Sequence, residues 1–431
     1  MRLKKKLDYQ WVIIVVCFLM EFVCLGFCSS NKSLYLGAIT SALDIKRSLF
    51  SINDSCRFLT TAAINLFFGS LLKKLGARKM IAIGFMSLIG SALIYANAEV
   101  VYVFYLGGIL LGMGIAFTTT TMISAIIKRW VKENTGTILG FVLAANGLGG
   151  ALAAQIVTPI IFEEGNPFGY RNAYQLVAVI LAVTGVIAVL FIREKPKGDT
   201  AEHVPHKKKP RGGGWVGIDY ETAKKKPFFY AALVGIFLTG MVLQGVNGCA
   251  ATHMKDVGID SAFVATVLSA HSLALMAFKF LTGFSYDRFG LRFTMLVCDI
   301  TAVAIMAILA VLDNSPTGVV LAMVWGVMSS LALPLETIML SLITTDLFGN
   351  KSFDKILGIV SALNVAGYAV GAPLTNACYD IFGTYVPFIW VCTGIMVIVT
   401  VMYQFIISAA NRNRKDVLAA EAAVNGGKGN A

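Results

Sequence analysis

Residues 139–146 read LGFVLAAN, and residues 357–364 read LGIVSALN. Five of the eight positions agree (Leu, Gly, Val, Ala, Asn), and the copies stand about half of the 431-residue chain apart. Chance readily supplies Leu, Ala, Val and Gly matches in apolar sequence, but a repeated Asn is harder to dismiss. A second pair recurs at nearly the same interval: GSLLKKLGAR at 69–78 and GFSYDRFGLR at 283–292. Gly69, Gly76 and Arg78 thus align with Gly283, Gly290 and Arg292. Two matched pairs at nearly one interval read as an internal duplication.

The chain is 57% hydrophobic and 14% charged, with a mean hydropathy of +0.75. A soluble domain carries about 25% charged and 45–50% apolar residues, so much of this apolar surface faces lipid. A bilayer-spanning helix needs about 20 mostly apolar residues. Twelve runs qualify: 10–31, 49–72, 78–97, 101–127, 135–162, 171–192, 228–252, 261–285, 292–312, 317–345, 353–378 and 385–409. Lys and Arg orient them. Of 36, only Lys46, Arg47, Arg171 and Lys255 fall on one side of the membrane, and Lys32, Arg57 and Lys279 fall in or at the edge of the runs. The other 29 share the side of both termini, which are therefore expected in the cytoplasm. The same asymmetry accounts for the net charge of +12 without a nucleic-acid partner.

The basic start MRLKKKLDYQ leads into an apolar run too long for a signal peptide, so an uncleaved first helix is expected. The eight cysteines show no metal-ligand spacing, and RGGGW at 211–215 lacks the GK[ST] of a phosphate loop. No nucleophile–base arrangement is visible, so neither enzyme, metal nor cofactor is expected. The polar segment 193–226, with PHKKKPRGGG, separates an N-terminal unit 1–192 from a C-terminal unit 227–431.

The spacing G-x-x-x-D-R-x-G-x-R after the second helix of each half resembles the loop signature of the major facilitator superfamily. The second copy matches in full through Gly283, Asp287, Arg288, Gly290 and Arg292. The first has Lys73 and Lys74 in place of the Asp and Arg. Within that superfamily, KRWVKENTGTILGFVLAANGLGG (128–150), DYETAKKKPFFYAAL (219–233) and GFCSSNKS (26–33) resemble the oxalate/formate antiporter and monocarboxylate transporter group. The resemblance implies an all-α integral membrane protein: twelve transmembrane helices in two pseudo-twofold-related six-helix bundles, with helices 1, 4, 7 and 10 lining a central cavity. It implies a secondary transporter for a small organic monocarboxylate, working by alternating access in the plasma membrane, with a coupled proton or a counter-anion. A monomer surrounded by membrane lipid is expected.

Charges within the spans single out the site. A charge at a helix centre costs about 2.5–3.5 kcal/mol on insertion scales. Lys279 lies eight residues before Asp287, about 12 Å into its helix at 1.5 Å per residue. In the resembled group a basic residue here, usually Arg, binds the substrate carboxylate; Lys keeps the charge and loses the bidentate fork. Glu21 and Glu336 also lie near mid-membrane and are candidate proton carriers, as is His271, which changes charge near neutral pH. Lys32, Tyr35, Arg57, Asn146 and Asn364 complete the candidate substrate contacts, the two Asn at equivalent cavity-facing positions. Plainer readings stay open: an i−3 ion pair with Asp54 for Arg57, snorkelling for Lys32, a packing role for His271, structural pairing for Asp299, and returned backbone bonds for Thr118–Thr121. Dicarboxylate carriers of the group place a second cation where this chain has Asn364, which argues against a dianion. A zwitterionic amino-acid-like metabolite and an apolar drug or metabolite, exported rather than taken up, are the alternative cargoes.

Overall fold

The computed structural model describes residues 2–193 and 217–427, apart from 31, 46, 132 and 164; some further side chains, Lys32 among them, lie outside the described residues. Twelve helical passes fill the two halves. Helix 1 is Arg2–Cys24, helix 2 Arg47–Leu75, helix 3 Ala77–Asn97, helix 5 Thr135–Ile161 and helix 6 Gly169–Phe191. Helix 7 is Pro227–Asp256, helix 8 Ser261–Phe289, helix 9 Leu291–Ala310, helix 11 Phe353–Phe382 and helix 12 Val386–Gly427. Helices 4 and 10 are broken: Val101–Thr118 with Thr120–Trp130, and Pro316–Ala332 with a 3-10 turn Leu333–Glu336 and Ile338–Phe348. Eleven passes are long and apolar enough to cross a membrane, and the apolar part of helix 1, Tyr9–Cys24, is shorter.

Packing follows the duplication. Helix 1 packs on helix 5 as helix 7 packs on helix 11, and the pairs 2·4, 3·4, 3·6 and 1·6 recur as 8·10, 9·10, 9·12 and 7·12. Two further pairs, helix 5 with helix 8 and helix 11 with helix 2, join the halves. In lipid no hydrophobic force drives helices together, so close backbone approach must do it. A Cβ on Gly149 would lie 2.0 Å from the Phe22 carbonyl oxygen of helix 1, and one on Gly367 would lie 2.3 Å from the Phe237 carbonyl oxygen of helix 7. The outer surface is apolar: Val179, Val183, Val186 and Leu190 form one exposed helix-6 stripe. Such a stripe is a liability in water and an ordinary surface in hydrocarbon.

Three backbone features depart from the sequence expectation. The first run, expected as one helix over 10–31, ends at Cys24, turns through residues 25–30, and continues as a short helix, Lys32–Ala42. Gly26 there packs against Gly149, and Ser30 Oγ donates to the Leu25 carbonyl (3.2 Å). The breaks in helices 4 and 10 fall at Thr119 (φ −113, ψ −145) and Thr337 (φ −130, ψ −84), separated by the same interval as the octapeptides. In helix 4 the hydroxyls of Thr118 and Thr119 donate to the Gly114 and Ile115 carbonyls (2.8 Å each), competing with the helix ladder. In helix 10 Pro334 removes a donor. Interrupted passes at matching places in both halves point to the centre of the bundle as the site.

At the end carrying the 193–226 linker, a clasp joins the halves. Asp287 of the second signature accepts from the backbone N–H groups of Gly136 (3.1 Å) and Thr137 (2.7 Å) and from the Thr137 hydroxyl (2.7 Å), capping helix 5. The first copy has Lys73 there, and helix 11 instead carries Asp354, paired with Arg129 of helix 4 at 2.5 Å. Lys128 Nζ donates to the Thr345 hydroxyl, and Thr121 Oγ1 donates to Ser361 Oγ at 3.2 Å. Gly76 (φ 77) and Gly290 (φ 84) start helices 3 and 9 in the left-handed region, which explains glycine at both signature positions. Arg78 donates to the Leu190 carbonyl (3.0 Å), Arg292 to Gln404 Oε1 (3.0 Å), and Gly69 and Gly283 pack on helix 11 and helix 5 backbone. The Arg288 guanidinium lies 5.7 Å from the Phe289 ring.

Substitutions at Asp287, Gly149 and Gly248 test this account. Asp287→Ala removes the cap on helix 5 and should cost about 0.5–2 kcal/mol, read as a lower thermal midpoint in detergent that Asp287→Asn partly restores; an unchanged midpoint would refute the cap. Gly149→Val should sharply lower the folded yield, whereas Gly248→Ala, with open space around its Cβ, should leave it intact.

Candidate functional site

Lys279 is 2% exposed and projects from helix 8 into the other half. Its ammonium donates to Asn146 Oδ1 (2.9 Å) and to the Leu143 carbonyl (3.2 Å), both on helix 5. Gly140 permits this reach, since a Cβ there would lie 2.6 Å from the Lys279 carbonyl oxygen. An ammonium has three N–H donors; two are engaged, which leaves one for a ligand. Glu21 of helix 1 is 0% exposed, and neither carboxylate oxygen hydrogen-bonds to a described residue. Phe22, the next residue, packs on Gly149 of helix 5, one turn beyond Asn146. Lys279 and Asn146 are therefore brought together across the halves, and Glu21 lies on helix 1, which packs on the same helix 5.

A second locus lies against helices 10 and 11. Arg57 of helix 2 is buried, donates through Nη1 to Ser29 Oγ (2.8 Å), and sits 3.7 Å from Asp54. The expected i−3 pair is thus present, and the guanidinium also covers the Phe58 ring at 4.2 Å. Phe58 meets Tyr368 of helix 11 edge-on (5.8 Å), and the Tyr368 hydroxyl donates to the Glu336 carbonyl (3.5 Å). Glu336 occupies the 3-10 turn of broken helix 10, its Oε1 buried without a hydrogen-bond partner among the described residues. Hydropathy gave no reason to single out Tyr368; its one sequence signal is its place one helical turn beyond Asn364.

The remaining candidates are dispersed. His271 Nδ1 sits 2.8 Å from Ser329 Oγ, 3.1 Å from Ser330 Oγ and 3.2 Å from the Gly326 carbonyl, with its ring stacked on Trp325. Those contacts fix helix 8 to helix 10. Asn364 does not mirror Asn146. Its Nδ2 donates to the Ile236 carbonyl (3.5 Å), and it packs against Gly240, between helices 11 and 7. The long donor that engages Asn146 is Lys279, whose counterpart in the first half is the short Asn65, so Asn364 bonds to its own half instead. Tyr35 stacks on Tyr174 (4.2 Å) beside a cavity of about 40 Å³ that Asn53, Asp54 and Tyr95 also line, within the first half. The Lys32 side chain lies outside the described residues. Asp299, expected in a structural pair, is 0% exposed and hydrogen-bonds to no described residue.

The family model described as Major Facilitator Superfamily matches residues 17–253 and 232–426. Among curated relatives, Monocarboxylate transporter 13 of Rattus norvegicus is 25% identical over 324 residues, covering 73% of this chain and 70% of the relative. The uncharacterized MFS-type transporter YcxA of Bacillus subtilis is 22% identical over 288 residues, 67% of each chain. The sialic acid transporter NanX of Escherichia coli is 22% identical over 241 residues, 55% of each. Among solved structures, the proton:xylose symporter XylE superposes with a TM-score of 0.71 at 14% identity, covering 93% of this chain and 96% of that one. FucP in its outward conformation gives 0.70 at 13% identity, covering 92% and 99%. At those identities the two structures speak for the fold alone. Duplicated halves, interrupted passes and the family match lead to one conclusion: this chain is a multi-pass membrane transporter of the Major Facilitator Superfamily.

Proposed function

We propose that the protein moves a small organic monocarboxylate across the plasma membrane by alternating access, with the linker end and both termini in the cytoplasm. The observation that carries this reading is Lys279: an ammonium 2% exposed, with two of its three N–H groups spent on described residues, and on the neighbouring helix 1 a buried Glu21 carboxylate with no hydrogen-bond partner among the described residues. A carboxylate substrate supplies the acceptor that the third N–H of Lys279 lacks. It takes the third N–H of Lys279 as a charge-assisted bond, held in place by Asn146. Glu21, losing the attraction of Lys279 to the substrate, then takes a proton. The empty site (Lys⁺, Glu⁻) and the loaded site (Lys⁺, substrate⁻, protonated Glu) carry the same net charge, so both cross the cycle without an uncompensated ion in the membrane. The naming of relatives as monocarboxylate and sialic acid transporters supports an acid as cargo.

The clasp of Asp287, Arg129–Asp354 and Lys128–Thr345 keeps the linker end closed, and substrate release to that side requires it to part. A zwitterion is the second reading. The free Oε1 of Glu336, in the interrupted pass of helix 10, offers a seat for an ammonium.

In proteoliposomes, Lys279→Ala should weaken uptake of lactate or pyruvate at least tenfold, the scale of one hydrogen bond to a charged group, and Lys279→Arg should retain part of it. An undiminished Lys279→Ala would sink the carboxylate assignment. Uptake by the native chain should rise as outside pH falls, because a proton enters with each acid. Glu21→Gln should abolish that dependence while exchange of labelled for unlabelled acid persists; a preserved pH profile would remove Glu21 from proton coupling.

A further inference from the structure

Asn65 of helix 2 stands as far before Lys279 as Gly69 of the first signature stands before Gly283 of the second. The structure gives Asn65 and Lys279 equivalent seats. A Cβ on Gly140 would lie 2.6 Å from the Lys279 carbonyl oxygen, and a Cβ on Gly358 would lie 2.4 Å from the Asn65 carbonyl oxygen. Gly140 and Gly358 are the second positions of the two octapeptides. Asn65 thus stands against helix 11 as Lys279 stands against helix 5, on the other side of the pseudo-twofold axis. Like Lys279 it is 2% exposed; unlike Lys279, its Oδ1 has no hydrogen-bond partner among the described residues. Leaving a buried amide oxygen unpaired costs about 1–3 kcal/mol, and apolar side chains of Asn's size were available to a packing role.

The surroundings are also polar. Leu143, whose carbonyl receives Lys279, corresponds to Ser361, one turn past Gly358, and Ser361 Oγ accepts from Thr121 of helix 4. Ser124, one turn from Thr121 towards the linker end, is buried, and its hydroxyl pairs with no described residue. Helices 4 and 11 run antiparallel, so Ser124 lies at the level of Gly358 and Asn65.

We propose that Asn65 is the second pole of the substrate site and selects an acid bearing a hydroxyl remote from its carboxylate. This rests on the reading of Lys279 as the carboxylate anchor. The carboxylate binds at the cationic pole, and the hydroxyl donates to Asn65 Oδ1 at the amide pole. A hydroxyl can donate or accept, so it meets either end of the amide. An acid with a plain hydrocarbon tail leaves the amide oxygen buried and unpaired, and is selected against for that reason.

The test is ligand-dependent thermal stabilisation of the full chain in nanodiscs with four probes: butanoate, 4-hydroxybutanoate, D-gluconate and the neutral polyol D-glucitol. The native chain should bind the better of the two hydroxylated acids about tenfold more tightly than butanoate. Asn65→Leu should bring that ratio to about one while butanoate binding stays intact, which also shows that the variant is folded; Asn65→Ser should restore part of the ratio. A ratio unchanged in Asn65→Leu overturns the proposal, and so does an equal loss for butanoate and the hydroxylated acids. Lys279→Ala examines the underlying reading separately, because it should weaken all three acids and leave their ratio alone. If no acid stabilises the native chain but D-glucitol does so through Asn65, the carboxylate reading falls and the amide pole stands. Silence from all four probes overturns both.

Discussion

A lysine ammonium in the middle of a bilayer has no water to turn to, and the arrangement of this molecule follows from what Lys279 finds instead. Its bonds run to helix 5 of the opposite half, so the charge that belongs to one half is solvated by the other. That requires helices 5 and 8 to lie backbone to backbone, and glycine at 140 makes the approach possible. The same seat recurs at Gly358, where a neutral Asn65 replaces the ammonium. Symmetry sets the scaffold, and one substitution within it gives the site a charged and an uncharged side.

Much of the fold could be read before any coordinates. The octapeptides and signature loops established the duplication, and the pairing of passes follows it throughout. The interruptions escaped because hydropathy averages over whole spans and is blind to backbone angles. FTTTTM at 117–122 and LPLE at 333–336 sit inside long apolar spans, yet returned threonine bonds and a proline break both passes. Among the candidate residues, charge in lipid singled out Lys279, Glu21 and Arg57, and the repeated octapeptide singled out Asn146. Side-chain direction was not legible: the two repeated Asn bond to different partners, and Tyr368 came to notice only through its neighbours.

The linker end shows how imperfect repetition produces direction. Both halves must close against each other there, but Asp287 does so by capping a helix and Arg129 by an ion pair with Asp354. Capping depends on three short, well-directed bonds, whereas the ion pair is one-quarter exposed on each side and is screened by salt. The two sides of the clasp therefore answer differently to ionic strength, although they occupy equivalent positions.

The two repeats do not keep quite the same interval, and the difference has a location and a meaning. Helices 5 and 11 stand slightly further apart along the chain than helices 2 and 8. Between them, the turn joining helices 3 and 4 spans residues 98–100, and its counterpart spans 311–315, ending on the Ser315 cap of helix 10. The extra length went into a rim loop and the first turn of helix 10, where Asp313 and Ser315 bond to each other in the open. No insertion entered the seats at Gly140 and Gly358. Lengthening at the rim left the bundle's interior untouched, while a single added residue between Gly140 and Asn146 would have turned the Lys279 acceptor to another face of its helix.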